Sequence, residues 1–233
     1  FDTVEKSIGY FFEHDFGNGL TFSQGVRYST LDVTYESIYP ALTAPGTDPF
    51  DTPRSALGLN AETDRFAIDN RVLYEASLNN FADSKALFGV DYARDNIEES
   101  RSDGTAAGVN FYDGREDILF PFPAAITETD ISILGIYAQE ELTLADQIIL
   151  TLGGRYDYVT QDDGTEVKDE AFTGRLGVTY KITDEVSVYG NYSESFQPVG
   201  TYRTTAGAEI EPQEGTQYEA GVKYAPQGWN ALF

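Results

Sequence analysis

Alternation of apolar and polar side chains at every second position is the feature that most constrains the fold of this chain. Within 66–78, Phe66 and Tyr74 fall on one parity, whereas Arg71 and Glu75 fall on the other. A period of two places successive side chains on opposite faces of a strand, whereas a helix requires a period of 3.6. Because no segment sustains the helical period, the sequence predicts an all-β fold.

The alternating segments predict about nine strands, separated by connections of two lengths. Short turns alternate with longer polar segments, roughly 36–64, 96–129, 161–171 and 198–214. Antiparallel strands with short turns at one end and long loops at the other are typical of outer-membrane barrels. The sequence therefore predicts an antiparallel transmembrane β-barrel. Its predicted strands are 5–14, 19–35, 64–78, 84–95, 130–144, 147–160, 171–182, 186–197 and 215–224.

Pairing of neighbouring strands gives a test of this parity, because paired residues must face the same side. Folding the chain about the turn at 145–146 places Tyr137 near Arg155, polar beside polar. A second hairpin sets Arg71 beside Asp91, which predicts an inward ion pair. The opposite face is wide, apolar and rimmed by tyrosine, as expected for a surface that contacts lipid between two aromatic girdles.

Composition excludes several other classes of protein. The 15 Lys+Arg and 39 Asp+Glu give a net charge of −24, which argues against a nucleic-acid partner, because phosphate requires a basic face. There is no cysteine, and the single histidine, His14, is predicted at a short turn in a solvated or girdle position. We therefore expect no enzyme, no catalytic residue and no metal site. The acidic segment 162–165 lacks the full ligand spacing of a calcium loop and predicts a solvated turn.

Five motifs with strand-scale spacing stand out: IYAQEE at 136–141, LTLGGRYD at 150–157, FTGRLGV at 172–178, YGNYSESFQP at 189–198 and EPQEGTQYEAGVKY at 211–224. In their order and spacing they resemble the central barrel of TonB-dependent siderophore receptors, the ferrichrome-receptor-like group. With two looser matches nearer the start of the chain, the resemblance covers nearly everything outside the long loops.

The resemblance implies a 22-stranded barrel filled by an N-terminal plug, which imports a ferric siderophore with energy from the TonB complex. A tenth strand begins at 229 and stops at 233, and the sequence has no methionine. We therefore expect 1–233 to be a partial barrel domain of nine to ten strands, incomplete at both ends and without the plug. Two alternatives stay open, namely uptake of cobalamin, haem or an oligosaccharide, and a passive porin-like barrel.

Candidate contact residues fall into two groups. Aromatic side chains in the long loops are candidates for stacking on the ligand, with packing of the loops themselves as the alternative. Polar side chains on the inward parity are candidates for a lumen network that holds the plug. Lipid and lipopolysaccharide are further expected partners, and no cofactor is expected beyond the transported chelate. The loop candidates are Phe111, Tyr112, Phe120, Phe122, Tyr39 and Tyr202, and the lumen candidates are Arg155, Asp157, Arg175, Glu219, Tyr137 and Gln139.

Overall fold

The computed structural model describes residues 1–40, 51–110, 126–199 and 210–226. Within these ranges the chain forms one nine-stranded antiparallel sheet, in which every strand pairs with its neighbours in the sequence. The described residues contain no helix long and apolar enough to cross a membrane. The strands are β1 Asp2–Asp15, β2 Leu20–Pro40, β3 Asp51–Asn79, β4 Ala82–Asn110, β5 Ile126–Leu144, β6 Ile148–Asp162, β7 Glu166–Lys181, β8 Val186–Gln197 and β9 Gln213–Tyr224.

All nine predicted strands are present, and the short turns lie where the sequence indicated. Between β5 and β6, Ala145 and Asp146 have φ angles of 50° and 58°. Positive φ at two successive residues matches the right-handed twist of the flanking strands in a tight hairpin. His14 lies beside the β1–β2 turn, as the sequence predicted, with its ring 4.5 Å from that of Phe16.

The prediction of long polar loops is wrong for much of their length. Strands β3 and β4 contain 29 residues each, so most of 51–64 and 96–110 is paired strand. The segment 161–171 is a hairpin rather than a loop, because β6 and β7 pair as far as Asp162 and Glu166. At its tip the Asp162 carboxylate accepts the Gly164 N–H at 2.9 Å. The predicted tenth strand at 229–233 lies outside the described residues.

The two faces of the sheet differ in chemistry as the parity predicted. One row of paired residues across β6, β7, β8 and β9 contains Leu152, Leu176, Tyr192 and Tyr218. We call this side the apolar face. The adjacent row contains Gly153, Arg175, Ser193 and Gln217, and lies on what we call the polar face.

The described part of the chain has almost no conventional hydrophobic core. Among the described residues, the buried apolar side chains are Ala56, Ala82 and Val159. Large side chains of the apolar face are open, for example Tyr218 at 79% exposure and Leu152 at 63%. An uncovered apolar surface of this extent requires a partner such as lipid. The apolar face is therefore suited to the lipid contact that the sequence predicted.

The chain divides into two compact units. One comprises Phe1–Ile8, Tyr28–Phe66 and Asp95–Asp130, and the other comprises Gly9–Arg27, Ala67–Arg94 and Ile131–Phe233. The first unit is held by polar pairs between strands, such as Tyr28 donating to Asp64 at 2.8 Å and Arg65 lying 3.5 Å from Asp95. The second unit contains the polar side chains that form the candidate site.

Candidate functional site: the polar face

Arg155 on β6 is the centre of a charged cluster on the polar face. Its guanidinium donates to both oxygens of Asp91 on β4, at 2.6 and 3.0 Å. It also donates to Asp157, two residues along its own strand, at 2.8 Å. A bidentate contact of this kind fixes the orientation of the arginine as well as its position. Two carboxylates therefore hold the single positive charge of Arg155 within the wall of the sheet.

Tyr137 on β5 extends the cluster across two more strands. Its ring lies 5.6 Å from the Arg155 guanidinium, which confirms the predicted proximity of these two residues. Its hydroxyl donates to Asp69 on β3 at 2.8 Å, and Asp69 in turn lies 3.6 Å from Arg71. Asp69 is a member that the sequence reasoning did not single out, although it shares the parity of its neighbours. The cluster thus joins β3, β4, β5 and β6.

The predicted ion pair between Arg71 and Asp91 is wrong, because Asp91 is occupied by Arg155. Arg71 instead lies beside Asp69, with its guanidinium 5.9 Å from the Phe11 ring centroid. Gly135 on the intervening strand β5 explains the exchange of partners. A Cβ atom at this position would overlap the Arg155 guanidinium, so only glycine leaves the path from β6 to β4 open.

Other glycines on the polar face accommodate side chains from neighbouring strands in the same way. A Cβ atom on Gly153 would lie 2.8 Å from Nε of Arg175, and one on Gly221 would lie 2.7 Å from the Tyr189 ring. Both distances are shorter than an ordinary van der Waals contact. These glycines therefore let long polar side chains lie flat along the wall instead of pointing away from it.

Within the described residues, Arg175 and Glu219 do not form the ion pairs that hold Arg155 in its cluster. The Arg175 guanidinium donates to the side-chain oxygen of Gln139, and no carboxylate in the described ranges forms an ion pair with it. Glu219 accepts the Tyr189 hydroxyl at 2.7 Å. Both charged groups lie on the polar face, and each hydrogen-bonds to a neutral side chain, Gln139 or Tyr189.

Of the six candidate loop aromatics, only Tyr39 lies within the described residues. Tyr39 lies near the end of β2 with 43% of its surface exposed. Phe111, Tyr112, Phe120, Phe122 and Tyr202 lie outside the described residues. A ligand contact for these six side chains stays a prediction, and so does contact of the polar face with a plug.

Charged pairs also occur near the outer tip of the β6–β7 hairpin. Lys168 contacts the carboxylate of Glu166, which raises the pKa of the Lys168 ammonium group by hydrogen bonding and charge attraction. Both side chains are about half exposed, so water screens the pair. Within the described residues there is no group of three or more acidic or histidine side chains arranged to hold a metal ion.

The whole of this chain, residues 1–233, matches the family model of the TonB dependent receptor-like β-barrel. The chain therefore belongs to the TonB-dependent receptor β-barrel family, and its location is the bacterial outer membrane. This confirms the predicted barrel class and the resemblance seen in the five strand motifs.

Similar proteins include the ferrichrome outer membrane transporter/phage receptor of Escherichia coli K12. That protein is 29% identical over 96% of this chain and 34% of its own length. The ferrioxamine B receptor of Salmonella typhimurium is 28% identical over 100% of this chain and 34% of its own length. This chain thus spans about a third of the length of these curated relatives.

Solved structures show the same fold at lower sequence identity. FpvA of Pseudomonas aeruginosa, in a complex with a heterologous pyoverdine and iron, gives a TM-score of 0.82 at 20% identity over 94% of this chain and 30% of its own. Fiu of Escherichia coli K12, a ferric-catecholate import receptor, gives 0.79 at 18% identity over 95% of this chain and 38% of its own. The nine-stranded sheet thus matches part of a larger receptor barrel.

Proposed function

We propose that the protein containing this chain imports a ferric siderophore across the outer membrane with energy from the TonB complex. The observation that carries the proposal is the family match over the whole chain, joined to a sheet whose polar face is rich in charge. The similar proteins named for ferrichrome, ferrioxamine B and ferripyoverdine support a ferric siderophore as the cargo, without fixing its chelating groups.

In this proposal the polar face lines the lumen of the barrel and contacts the plug. Arg155 pairs with both Asp91 and Asp157 within the wall, and these ion pairs give the lumen a fixed surface. Arg175 and Glu219 keep charge available for a partner, and Tyr137 and Gln139 supply hydrogen-bonding groups beside them. The loop aromatics named above contact the chelate before it reaches the lumen. The apolar face contacts lipid, and the acidic outer segments contact lipopolysaccharide.

An enzymatic role is not part of the proposal. His14, the single histidine, has aromatic neighbours on both sides beside a turn, away from the polar face that would meet a substrate. His14 is therefore not placed to act as the general base of a barrel protease or lipase. The remaining alternatives are the import of cobalamin, haem or an oligosaccharide, and passive diffusion.

The test is transport by the intact receptor in cells that lack their own siderophore receptors. Growth under iron limitation should be restored by at least one ferric chelate from a panel of ferrichrome, ferrioxamine B and pyoverdine, and only when TonB is present. Growth that does not require TonB would favour a porin. Binding of cobalamin or haem by the purified receptor, without binding of any ferric chelate, would favour the other nutrients.

A further inference from the structure

A cavity of about 380 Å³ opens on the sheet beside Arg175. Its lining includes both arginines of the polar face, Arg155 and Arg175, and the hydroxyl side chains of Thr173 and Ser193. Ligand pockets in proteins fall between about 300 and 1,000 Å³. The cavity is therefore large enough for one lobe of a small chelate.

The cavity lies where two strands separate. Pairing between β7 and β8 ends at Arg175 and Ser193, whereas β7 remains paired with β6 as far as Glu166. Strand β8 likewise remains paired with β9 as far as Gln197. The β6–β7 and β8–β9 hairpins therefore part beyond Arg175, and the space between them forms a notch in the wall.

Glu194 occupies the apolar side of this notch and is fully engaged there. Its carboxylate accepts the backbone N–H of Gly174 at 2.8 Å and the Tyr192 hydroxyl at 2.6 Å. These two contacts replace the backbone pairing that is lost where β7 and β8 part. Glu194 thus closes the notch on its apolar side only, and it forms no ion pair with Arg175.

The electrostatic contrast between the two arginines indicates which of them can bind an anion. Arg155 already holds Asp91 and Asp157, whose side chains are 26% and 14% exposed, and a third anion there would meet like charge. Among the described residues, Arg175 hydrogen-bonds to the neutral Gln139 and forms no ion pair, although Glu219 lines a second cavity together with it. The Arg175 side chain also passes close over Gly153, and both residues line the cavity.

We propose that the notch binds an anionic oxygen group of the imported ferric chelate, a carboxylate or a catecholate, with Arg175 as the binding cation. The inference rests on the proposed function, since the chelate is the cargo of that import. A guanidinium fork matches a pair of anionic oxygens, and such charge-assisted hydrogen bonds are about twice as strong as neutral ones. Thr173 and Ser193 provide hydroxyl donors for the remaining oxygen lone pairs.

Affinity measurements on the intact receptor in detergent test this site. The probes are a neutral ferric trihydroxamate, an anionic ferric tricatecholate and ferripyoverdine. Arg175→Gln should weaken the binding of an anionic chelate roughly 10- to 100-fold, the range expected for a charged hydrogen bond, and Arg175→Lys should restore part of the loss. Lys168→Gln is the matched control, because it removes the same charge outside the cavity and should leave affinity unchanged. Equal affinity of wild type and Arg175→Gln for the anionic chelates would refute the proposal that Arg175 binds their anionic group. Equal losses of affinity for neutral and anionic chelates would refute it as well.

Arginine modification by phenylglyoxal distinguishes the cargo from a carboxylate of the plug. In the apo receptor Arg175 should react, and a saturating anionic chelate should protect it, as read by peptide mass spectrometry. If Arg175 is already protected without chelate and reacts only after urea releases the plug, its partner is the plug and the site is refuted. A receptor that binds no ferric chelate refutes the proposed function itself. One that binds an anionic chelate without protecting Arg175 refutes this inference alone.

Discussion

Replacing Leu176 with arginine tests whether the apolar face of the sheet contacts lipid. Leu176 lies on β7, five residues from the end of the strand at Lys181, which adjoins a short turn. Five residues advance about 17 Å along a strand, and a tilt of about 40° reduces this to about 13 Å of height. The apolar band of an outer-membrane barrel is about 25 Å tall, so Leu176 lies near its middle.

An arginine at that depth should cost about 2–4 kcal/mol, which corresponds to a roughly 30- to 900-fold shift in the folding equilibrium. The same substitution at Phe172, about 10 Å higher and close to the outer interface, should cost only about 0–1 kcal/mol. Thr151→Arg provides the control at matched depth, because Thr151 pairs with Gly177 on the polar face. Its effect should be well below that of Leu176→Arg.

Reversible guanidinium unfolding of the intact receptor in lipid vesicles measures these differences. The expected order of destabilisation is Leu176→Arg first, with Phe172→Arg and Thr151→Arg both small. A loss at Thr151 that equals or exceeds the loss at Leu176 would reverse the assignment of the faces. Equal losses at Leu176 and Phe172 would contradict the depth that the strand geometry gives.

Two further predictions concern hydrogen bonds within the wall. Gly135→Ala should expel the Arg155 guanidinium from its path to Asp91 and destabilise the receptor by about 1–3 kcal/mol, and Asp91→Asn should have a similar effect. In a double-mutant cycle followed by denaturant unfolding the two losses should not add, and full additivity would show that Gly135 acts in another way. Glu194→Ala should expose the Gly174 amide, so hydrogen exchange at Gly174 should accelerate relative to Gly177 within β7. An unchanged exchange rate would contradict the closing contact.

The number of strands and the identity of the two faces were predictable because both follow from the environment of the strands. In a membrane barrel, side chains alternate where one side of a strand meets lipid and the other meets a polar lumen. Strands β3 and β4 contain 29 residues each, whereas about 9–11 suffice to cross the bilayer. Where neither face must be apolar, backbone pairing continues without the alternation. The sequence therefore predicts loops where the structure has the outer segments of β3 and β4.

The choice of partners within the polar face could not be predicted from parity alone. Parity placed Arg71, Asp91 and Arg155 on one side, and adjacency favoured the pairing of Arg71 with Asp91. Arg155 reaches Asp91 from two strands away, a contact that depends on the missing side chain of Gly135. A glycine on the polar parity of a strand that lies between two charged strands is a sequence signal for such a contact. It can be interpreted only when the register of all three strands is known.

The balance of charge on the polar face then separates structural residues from those available to a partner. A luminal wall must remain fixed while a cargo passes, and mutually paired groups such as Arg155 with Asp91 and Asp157 meet that need. A group that binds a passing anion must instead be left without a carboxylate of its own, because a buried ion pair already holds its partners in place. Among the described residues Arg175 meets this second condition, and its position beside the notch follows from the point where β7 and β8 stop pairing. The motif at 172–178, one of the five that resemble the family, thus contains Arg175. It places this cation at the point of the described β7–β8 pair where backbone pairing ends.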